Sequence, residues 1–347
     1  PMAMQKRQNN LISTASDILF YHNVTRTIKN RYLPKMSEDC LYLNVWKPAG
    51  NKKNLPVVFY IHGGSLTTGQ SWWQDYNGES YAKKDVIFVT FSYRLGALGF
   101  YADENLARES ANNTTGMYGF LDQVKALEWV NKNIKSFGGD PNKITIAGES
   151  AGSSSVNAMC VSPLTKGLFR YAISESSSIT GKKPPHSYKD FADAIKQGKT
   201  LRDELGVSSP VDLRKVPSEK IANTSTQYGT LNAMTNDGYA LKKSPYESYL
   251  AGEHNEKALL TGYNKKDGDL FMLVDKKTNK DTYKESIKAI YPRAYREIIK
   301  AYPANTDEEA ENNQRKIYNA ATFGYGHDVW SRLAVKKEPV YRYYFTK

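Results

Sequence analysis

Cysteine is almost absent from this chain of 347 residues, with only Cys40 and Cys160. Two thiols make no disulfide framework, and no Cys/His cluster of zinc-type spacing accompanies them. Small stapled folds and zinc modules are therefore excluded, while the redox compartment stays open. Long apolar runs are also missing; none approaches the roughly 20 residues that a membrane span requires. Signal-peptide patterning is absent, and a first residue of Pro1 leaves localisation open. No internal repeat or low-complexity linker appears. Histidine is scarce, with only His22, His62, His186, His254 and His327.

Basic charge and aromatics, by contrast, are plentiful. The formal net charge is +12, but the lysines fall in scattered pairs (Lys182-Lys183, Lys242-Lys243, Lys276-Lys277, Lys336-Lys337) among loop-like polar residues. Such pairs read as solvated faces, so nucleic acid is not an expected partner. With 25 Tyr, 12 Phe and 5 Trp the chain can build a large core. Its length suits one large α/β domain or two smaller ones.

The stretch that organises the rest is Ile144-Thr-Ile-Ala-Gly-Glu-Ser-Ala-Gly-Ser-Ser-Ser-Val156. A β-branched apolar run ends in Gly148-Glu-Ser-Ala-Gly152, and an Ala/Ser/Val-rich helical run follows. Strand, sharp turn and helix in this order raise the Ser150 hydroxyl clear of a sheet edge, with small residues two before and two after it. The Ala151 amide, at the helix start, then faces the place where charge forms on an attacked carbonyl. By itself the pattern is weak. With glycine near 7% of residues, it arises by chance in roughly one chain in ten of this length, and a Gly/Ser loop is the alternative.

The chain in order supplies context. Leu41 to Trp46 alternates as a half-buried strand, and Lys47-Pro-Ala-Gly-Asn51 reads as a hairpin-type turn. Val57–Ile61 and Val86–Thr90 read as strands buried on both faces. His62-Gly-Gly-Ser65 follows the first of them, and its glycines let backbone amides turn inward towards a ligand. Gly116 to Phe137 is expected as a helix, with Leu121, Val124, Leu127, Val130 and Ile134 on one stripe. Residues 171–174 and 257–262 read as further core strands, 281–302 as a helix and 340–345 as a last strand. Residues 181–255, polar and loop-rich, fit a cap better than a sheet. The expected fold class is α/β, with Ser150 at the C-terminal end of a parallel strand, where open α/β sheets hold their sites.

Several motifs resemble one family in order and spacing. They are Ser37-Glu-Asp-Cys-Leu-Tyr-Leu-Asn-Val-Trp46, Tyr60-Ile-His-Gly-Gly-Ser65, Ser92-Tyr-Arg-Leu-Gly96, Leu121-Asp-Gln123, Phe137-Gly-Gly-Asp-Pro141 and Gly148-Glu-Ser-Ala-Gly152. The family is the type-B carboxylesterases and cholinesterase-like proteins. The resemblance is strong over residues 36 to about 180 and weaker through 234–272 and 337–345. It implies a single α/β-hydrolase domain over 1–347, incomplete at both ends, and ester hydrolysis through an acyl-enzyme. Ser150 would be the nucleophile, Gly64, Ser65 and Ala151 the oxyanion amides, and Asp267, in Gly262-Tyr-Asn-Lys-Lys-Asp-Gly268, the triad acid in place of the family's usual Glu. Arg94 and Asp122 would form a buried structural ion pair, with Ser176 a supporting serine behind the triad.

The resemblance also implies absent parts. The family's triad histidine follows the Tyr341–Phe345 strand, so it is expected beyond Lys347. Within the chain only His327 follows both Ser150 and Asp267, as the order Ser…Asp…His requires, with a helix-start or surface histidine as the plainer reading. Pro1-Met-Ala-Met-Gln5 stands where a Cys-x-Gln segment is usual, which leaves Cys40 without its usual partner. No metal or organic cofactor is implied. The expected partner is a small-molecule ester; oligomeric state stays open. Trp72 and Trp73 are candidates to line an acyl or alcohol pocket, or to pack under the cap. The rival readings are a non-catalytic interaction protein on the same fold, a chain left inactive by the missing histidine, and a basic surface-binding module.

Overall fold

The computed structural model describes residues 1–5, 35–225, 233–269 and 278–346. Its frame is a seven-stranded sheet of β1 (Leu43–Trp46), β2 (Leu55–Ile61), β3 (Ile87–Phe91), β4 (Gly139–Glu149), β5 (Tyr171–Glu175), β8 (Leu259–Asn264) and β9 (Val340–Phe345), in the order β1-β3-β2-β4-β5-β8-β9. Every neighbouring pair is parallel except β1 with β3. Two short strands, β6 (Tyr188–Lys189) and β7 (Met234–Thr235), form a separate parallel pair.

The helices used below are α1 (Tyr118–Asn133), α2 (Ala151–Val161), α3 (Phe191–Leu205), α4 (Pro245–Leu250), α5 (Lys280–Ile290), α6 (Tyr295–Ala301), α7 (Asp307–Asn319) and α8 (Tyr325–Ala334). Among the described residues none is long and apolar enough to cross a membrane.

Three expectations need correction. The segment after β1 is not a hairpin, because β1 pairs with β3 and Leu43 stands opposite Phe91. Strand β2 is not buried on both faces: Val57, Phe59 and Ile61 are sealed, whereas Val58 and Tyr60 are only partly covered. Strand β3 is buried throughout. The 281–302 segment is two helices, α5 and α6, since Pro292 lacks the N–H that a continuous helix needs and clashes with the preceding turn.

The main core fills the space between sheet and helices. Val57, Phe59, Ile61, Val89, Phe91, Ile144 and Ile146 come from the strands; Val124, Leu127, Val130, Val156 and Met159 come from α1 and α2. The stripe read from α1 is thus the face it buries, and it continues through Ile134 in the following 3-10 turn. A second cluster joins Leu201 and Leu205 of α3 to Ala97, Tyr101, Leu213 and Ile221. A third, of Tyr283, Ile287, Ala310 and Ile317, holds α5 to α7.

Candidate active site

Strand β4 runs straight into α2 with Ser150 between them. Its backbone sits at φ 55° and ψ −125°, a region that costs a non-glycine residue about 1–3 kcal/mol. The surroundings enforce it. The Ser150 N–H donates to the Glu175 carbonyl at 2.8 Å, and its own carbonyl accepts from the Ser154 N–H at 3.1 Å. The two glycines explain themselves by contact. A Cβ on Gly148 would stand 2.5 Å from the Gly152 carbonyl, and one on Gly152 would collide with the Ile61 carbonyl oxygen.

Strand β2 ends beside this bend, since Ile61 pairs with Gly148. The turn it feeds therefore meets Ser150. A Cβ on Gly63 would lie 3.1 Å from the Ser150 Cβ and 3.0 Å from the Glu149 Oε2. Gly64 has φ 104°, and Ser65 and Leu66 follow at 56° and 57°, so the chain coils tightly here. The Gly64 carbonyl accepts the Thr67 and Thr68 amides. The Gly64 and Ser65 N–H groups reach no backbone carbonyl among the described residues. The Ala151 N–H is first in α2 and has no acceptor within the helix. Donors of this kind beside a raised hydroxyl suit an oxyanion.

Strand β8 delivers Asp267 to the same edge. Its carboxylate closes a local turn, accepting the Asn264 N–H and side-chain amide, each at 2.7 Å. Asn319 of α7 braces that turn through Gly268, Asn264 and Lys265. The charge of Asp267 reaches Glu149. Burial first, then Asp267 and Glu175, push the Glu149 carboxyl up to about 7.

Three carboxyls thus share the rim, and Tyr343 of β9 lies among them: burial first, then the charge of Glu175, raises its hydroxyl well above the ordinary value, with Asp267 and Glu149 adding to it. Ser176 mirrors Ser150 one strand over, with φ 58° and its N–H on the Gly262 carbonyl. Sequence reasoning gave no role to Glu149, Glu175 or Tyr343. Glu149 was visible inside the five-residue motif; the other two meet only through strand order.

The histidines are engaged elsewhere. His327 is not on the surface: it is fully buried in α8, with Nδ1 2.5 Å from the Thr261 hydroxyl and the ring stacked on Tyr263. Burial, then Arg342 and His186, lowers it to about 3. His62 bonds the Gly63 carbonyl at 2.8 Å, stacks on Tyr93, and is lowered by burial to about 4. His186 faces the Thr322 carbonyl, and His254 pairs with the buried Glu256 at 3.4 Å. None of these four bonds Ser150 or Asp267, and His22 lies outside the described residues.

Other candidates separate cleanly. Arg94 clasps Asp122 through Nε at 2.8 Å and Nη2 at 2.7 Å, but the pair is only half buried: the Asp122 side chain is 7% exposed and that of Arg94 40%. Trp73 stacks on Tyr76, which packs on Tyr60, and both tyrosines feel the Glu149 charge. Trp72 instead stands 42% exposed. Cys40 and Cys160 are buried free thiols, and burial raises Cys40 to about 11. Among the described residues no group of three His, Cys, Asp or Glu is placed to hold a metal ion.

Comparison with known proteins gives the family and the fold. The model of the carboxylesterase family matches residues 3–347. The fumonisin B1 esterase of Sphingopyxis macrogoltabida is 31% identical over 318 residues, covering 89% of this chain and 58% of that protein. Cholinesterase 1 of Branchiostoma lanceolatum is 34% identical over 287 residues, covering 74% of this chain and 78% of its own. The solved structure of the Geobacillus stearothermophilus carboxylesterase EST55 superposes with a TM-score of 0.79 at 31% identity, covering 90% of this chain and 66% of that one. The chain thus spans about three fifths of the length of the first of these relatives.

Proposed function

The chain belongs to the carboxylesterase family and has its α/β-hydrolase fold; on that premise we propose that it hydrolyses carboxylic esters through an acyl-enzyme on Ser150. The observation that carries the reading is the strained Ser150 backbone set against the turn of Gly63, Gly64 and Ser65. The Ser150 Oγ attacks the ester carbonyl carbon, and the carbonyl oxygen takes up negative charge facing the Gly64, Ser65 and Ala151 amides. Collapse breaks the bond to the alkoxy group, which leaves as the alcohol with the serine proton. Water then attacks the acyl-enzyme and releases the carboxylic acid. Donors fixed in advance suit this chemistry, since removing one costs about 10²–10³-fold in rate in a well-studied serine protease.

A serine hydroxyl needs a base to act near neutral pH. In this reading Asp267 orients an imidazole that bridges it to Ser150, a place none of the four described histidines takes. Asp is one methylene shorter than Glu, and the Asn264 bonds hold its carboxylate at the rim beside Glu149. Trp73, Tyr76 and Tyr60 form an aromatic wall next to that carboxylate and suit the acyl or alcohol part of the ester. The segment 181–255 contributes α3, β6, β7 and α4, and we assign it the role of a cap.

The test is covalent labelling of the folded chain with a fluorophosphonate, with and without added free imidazole. Mass spectrometry is expected to place the adduct on Ser150, faster with imidazole, and Ser150→Ala is expected to lose it. A folded chain that stays unlabelled at Ser150 in both conditions would refute the assignment.

A further inference from the structure

The turn that carries the Gly64 and Ser65 amides is held from outside by a residue nearly sixty positions upstream. Gln5 is buried, at 8% exposure. Its side-chain Nε2 donates to the Gly69 carbonyl at 3.0 Å, and its Oε1 accepts the Gly69 N–H at 3.0 Å. Both main-chain groups of one residue are thus satisfied by one primary amide. Such groups, when buried, are rarely left unpaired.

Gly69 is built for this contact. Its φ of +124° is open to glycine and strained for other residues, and a Cβ there would collide with the His62 Nδ1 and stand 2.8 Å from the Gly63 carbonyl oxygen. The Gly69 backbone therefore lies close against the imidazole. That imidazole bonds the Gly63 carbonyl and stacks on Tyr93, and the His62 backbone carbonyl accepts from the Tyr93 hydroxyl at 2.9 Å. Tyr93, His62, Gly69 and Gln5 thus form a continuous chain of contacts along the turn that carries Gly64 and Ser65. The clamp has a firm base: Met2 bridges Met36, its N–H donates to Lys35 and its carbonyl accepts from Ser37. Ala3 packs in the main core with Cys40.

We propose that Gln5 is a positioning residue for the oxyanion turn, acting through Gly69 and His62 to hold the Gly64 and Ser65 amides in place. The primary amide is required, because only a group with both a donor and an acceptor completes Gly69 on both sides. The proposal rests on the reading of Ser150 as the nucleophile only for its kinetic consequence. The mechanical claim stands apart.

The experiment has two arms on the folded 347-residue chain, comparing wild type with Gln5→Met and Gln5→Glu. Hydrogen exchange followed by mass spectrometry reads the peptide spanning 62–69 against peptides from β2 and β4. Gln5→Met is expected to speed exchange in 62–69 about tenfold or more while β2 and β4 stay protected. Gln5→Glu, which accepts from the Gly69 N–H but cannot donate to its carbonyl, is expected to fall between. Unchanged exchange at 62–69 in a folded Gln5→Met chain overturns the proposal, and so does a loss of protection spread evenly over all peptides in both variants.

The second arm follows fluorophosphonate labelling at varied reagent concentration. An amide displaced by about an ångström costs on the order of 10²-fold in rate. The maximal labelling rate is therefore expected to drop about 10–100-fold in Gln5→Met, with half-saturation moved less than about twofold. An equal rate overturns the proposal, as does a change confined to half-saturation. If wild type does not label at all, the esterase reading fails, and the exchange arm still decides whether Gln5 holds the turn.

Discussion

Gly152 and Ile61 touch so closely that no side chain fits between them; a Cβ on Gly152 would run into the Ile61 carbonyl oxygen. The contact ties the first turn of α2 to the end of β2. The raised serine and the Gly63–Ser65 turn are therefore packed directly against one another. Gly152→Ala is expected to destabilise by about 3 kcal/mol, the upper end for inserting a methyl into a close-packed site, because backbone rather than a flexible side chain stands in the way. Chemical denaturation checks the stability, and labelling of Ser150 is expected to fall with it. A cost below about 1 kcal/mol would mean the contact is looser than described.

Ser150 holds a backbone conformation that glycine adopts without strain. Ser150→Gly is therefore expected to raise stability by about 1 kcal/mol while abolishing fluorophosphonate labelling, since stored strain is released and the hydroxyl is lost. Denaturation midpoints of the two proteins decide the matter. Equal or lower stability in the glycine variant would show that the strain is not stored there.

Burial holds His62 near 4 and His327 near 3, both below the ordinary 6.5. Between those values and 6.5 the unfolded chain binds more protons than the folded one, so stability is complete above pH 6.5 and is lost as the pH falls from there. Each histidine contributes on the order of 3 kcal/mol to this loss. Thermal unfolding between pH 7 and pH 4 is expected to show a steep fall for wild type and a shallower one for His327→Gln, with Thr261 still bonded by the amide.

Glu149 carries the opposite sign. Its folded value is raised to about 7 from 4.5, so its favourable protonated form is complete below pH 4.5 and is lost as the pH rises through 7. Glu149→Gln is expected to stabilise the chain above pH 7 by on the order of 2 kcal/mol, discounted because the side chain is only partly buried, and to change little below pH 4.5. Denaturation at pH 4 and pH 8 gives the comparison; a gain at pH 4 alone would contradict the cause assigned to the shift.

Arg94 and Asp122 share two charge-assisted hydrogen bonds, and the Arg94 N–H adds a third at 3.1 Å. Asp122→Asn is expected to cost about 2 kcal/mol, less than a fully buried pair because Arg94 keeps water contact. Ser150 labelling, once corrected for the folded fraction, is expected to stay within about twofold, since the pair holds α1 to the segment after β3 and lies outside the site. Labelling that falls further than the folded fraction would place the pair in the active machinery.

Much of this architecture was legible in the chain because it is local. A β-branched run, a turn whose neighbours must be small, and a helical stripe are dictated by residues within a dozen positions of one another, so β4, Ser150, α1 and α2 could be read directly. The hairpin after β1 was misread because a turn signal shows where the chain bends, not which strand it then pairs with. The 281–302 helix was misread because its apolar period was counted across Pro292. The exposed reading of His327 failed because its cover, Thr261 and Tyr263 on β8, lies more than sixty residues away.

Sequence alone determined the chemistry available: a serine on a tight bend, glycines before a second turn, and an acid further along. Only the tertiary structure decided which distant groups meet, because strand order depends on how sheet faces bury one another rather than on distance along the chain. That order set Asp267 within electrostatic reach of Glu149 and brought Tyr343 to the rim near Ser176, while long-range packing lodged Gln5 against Gly69.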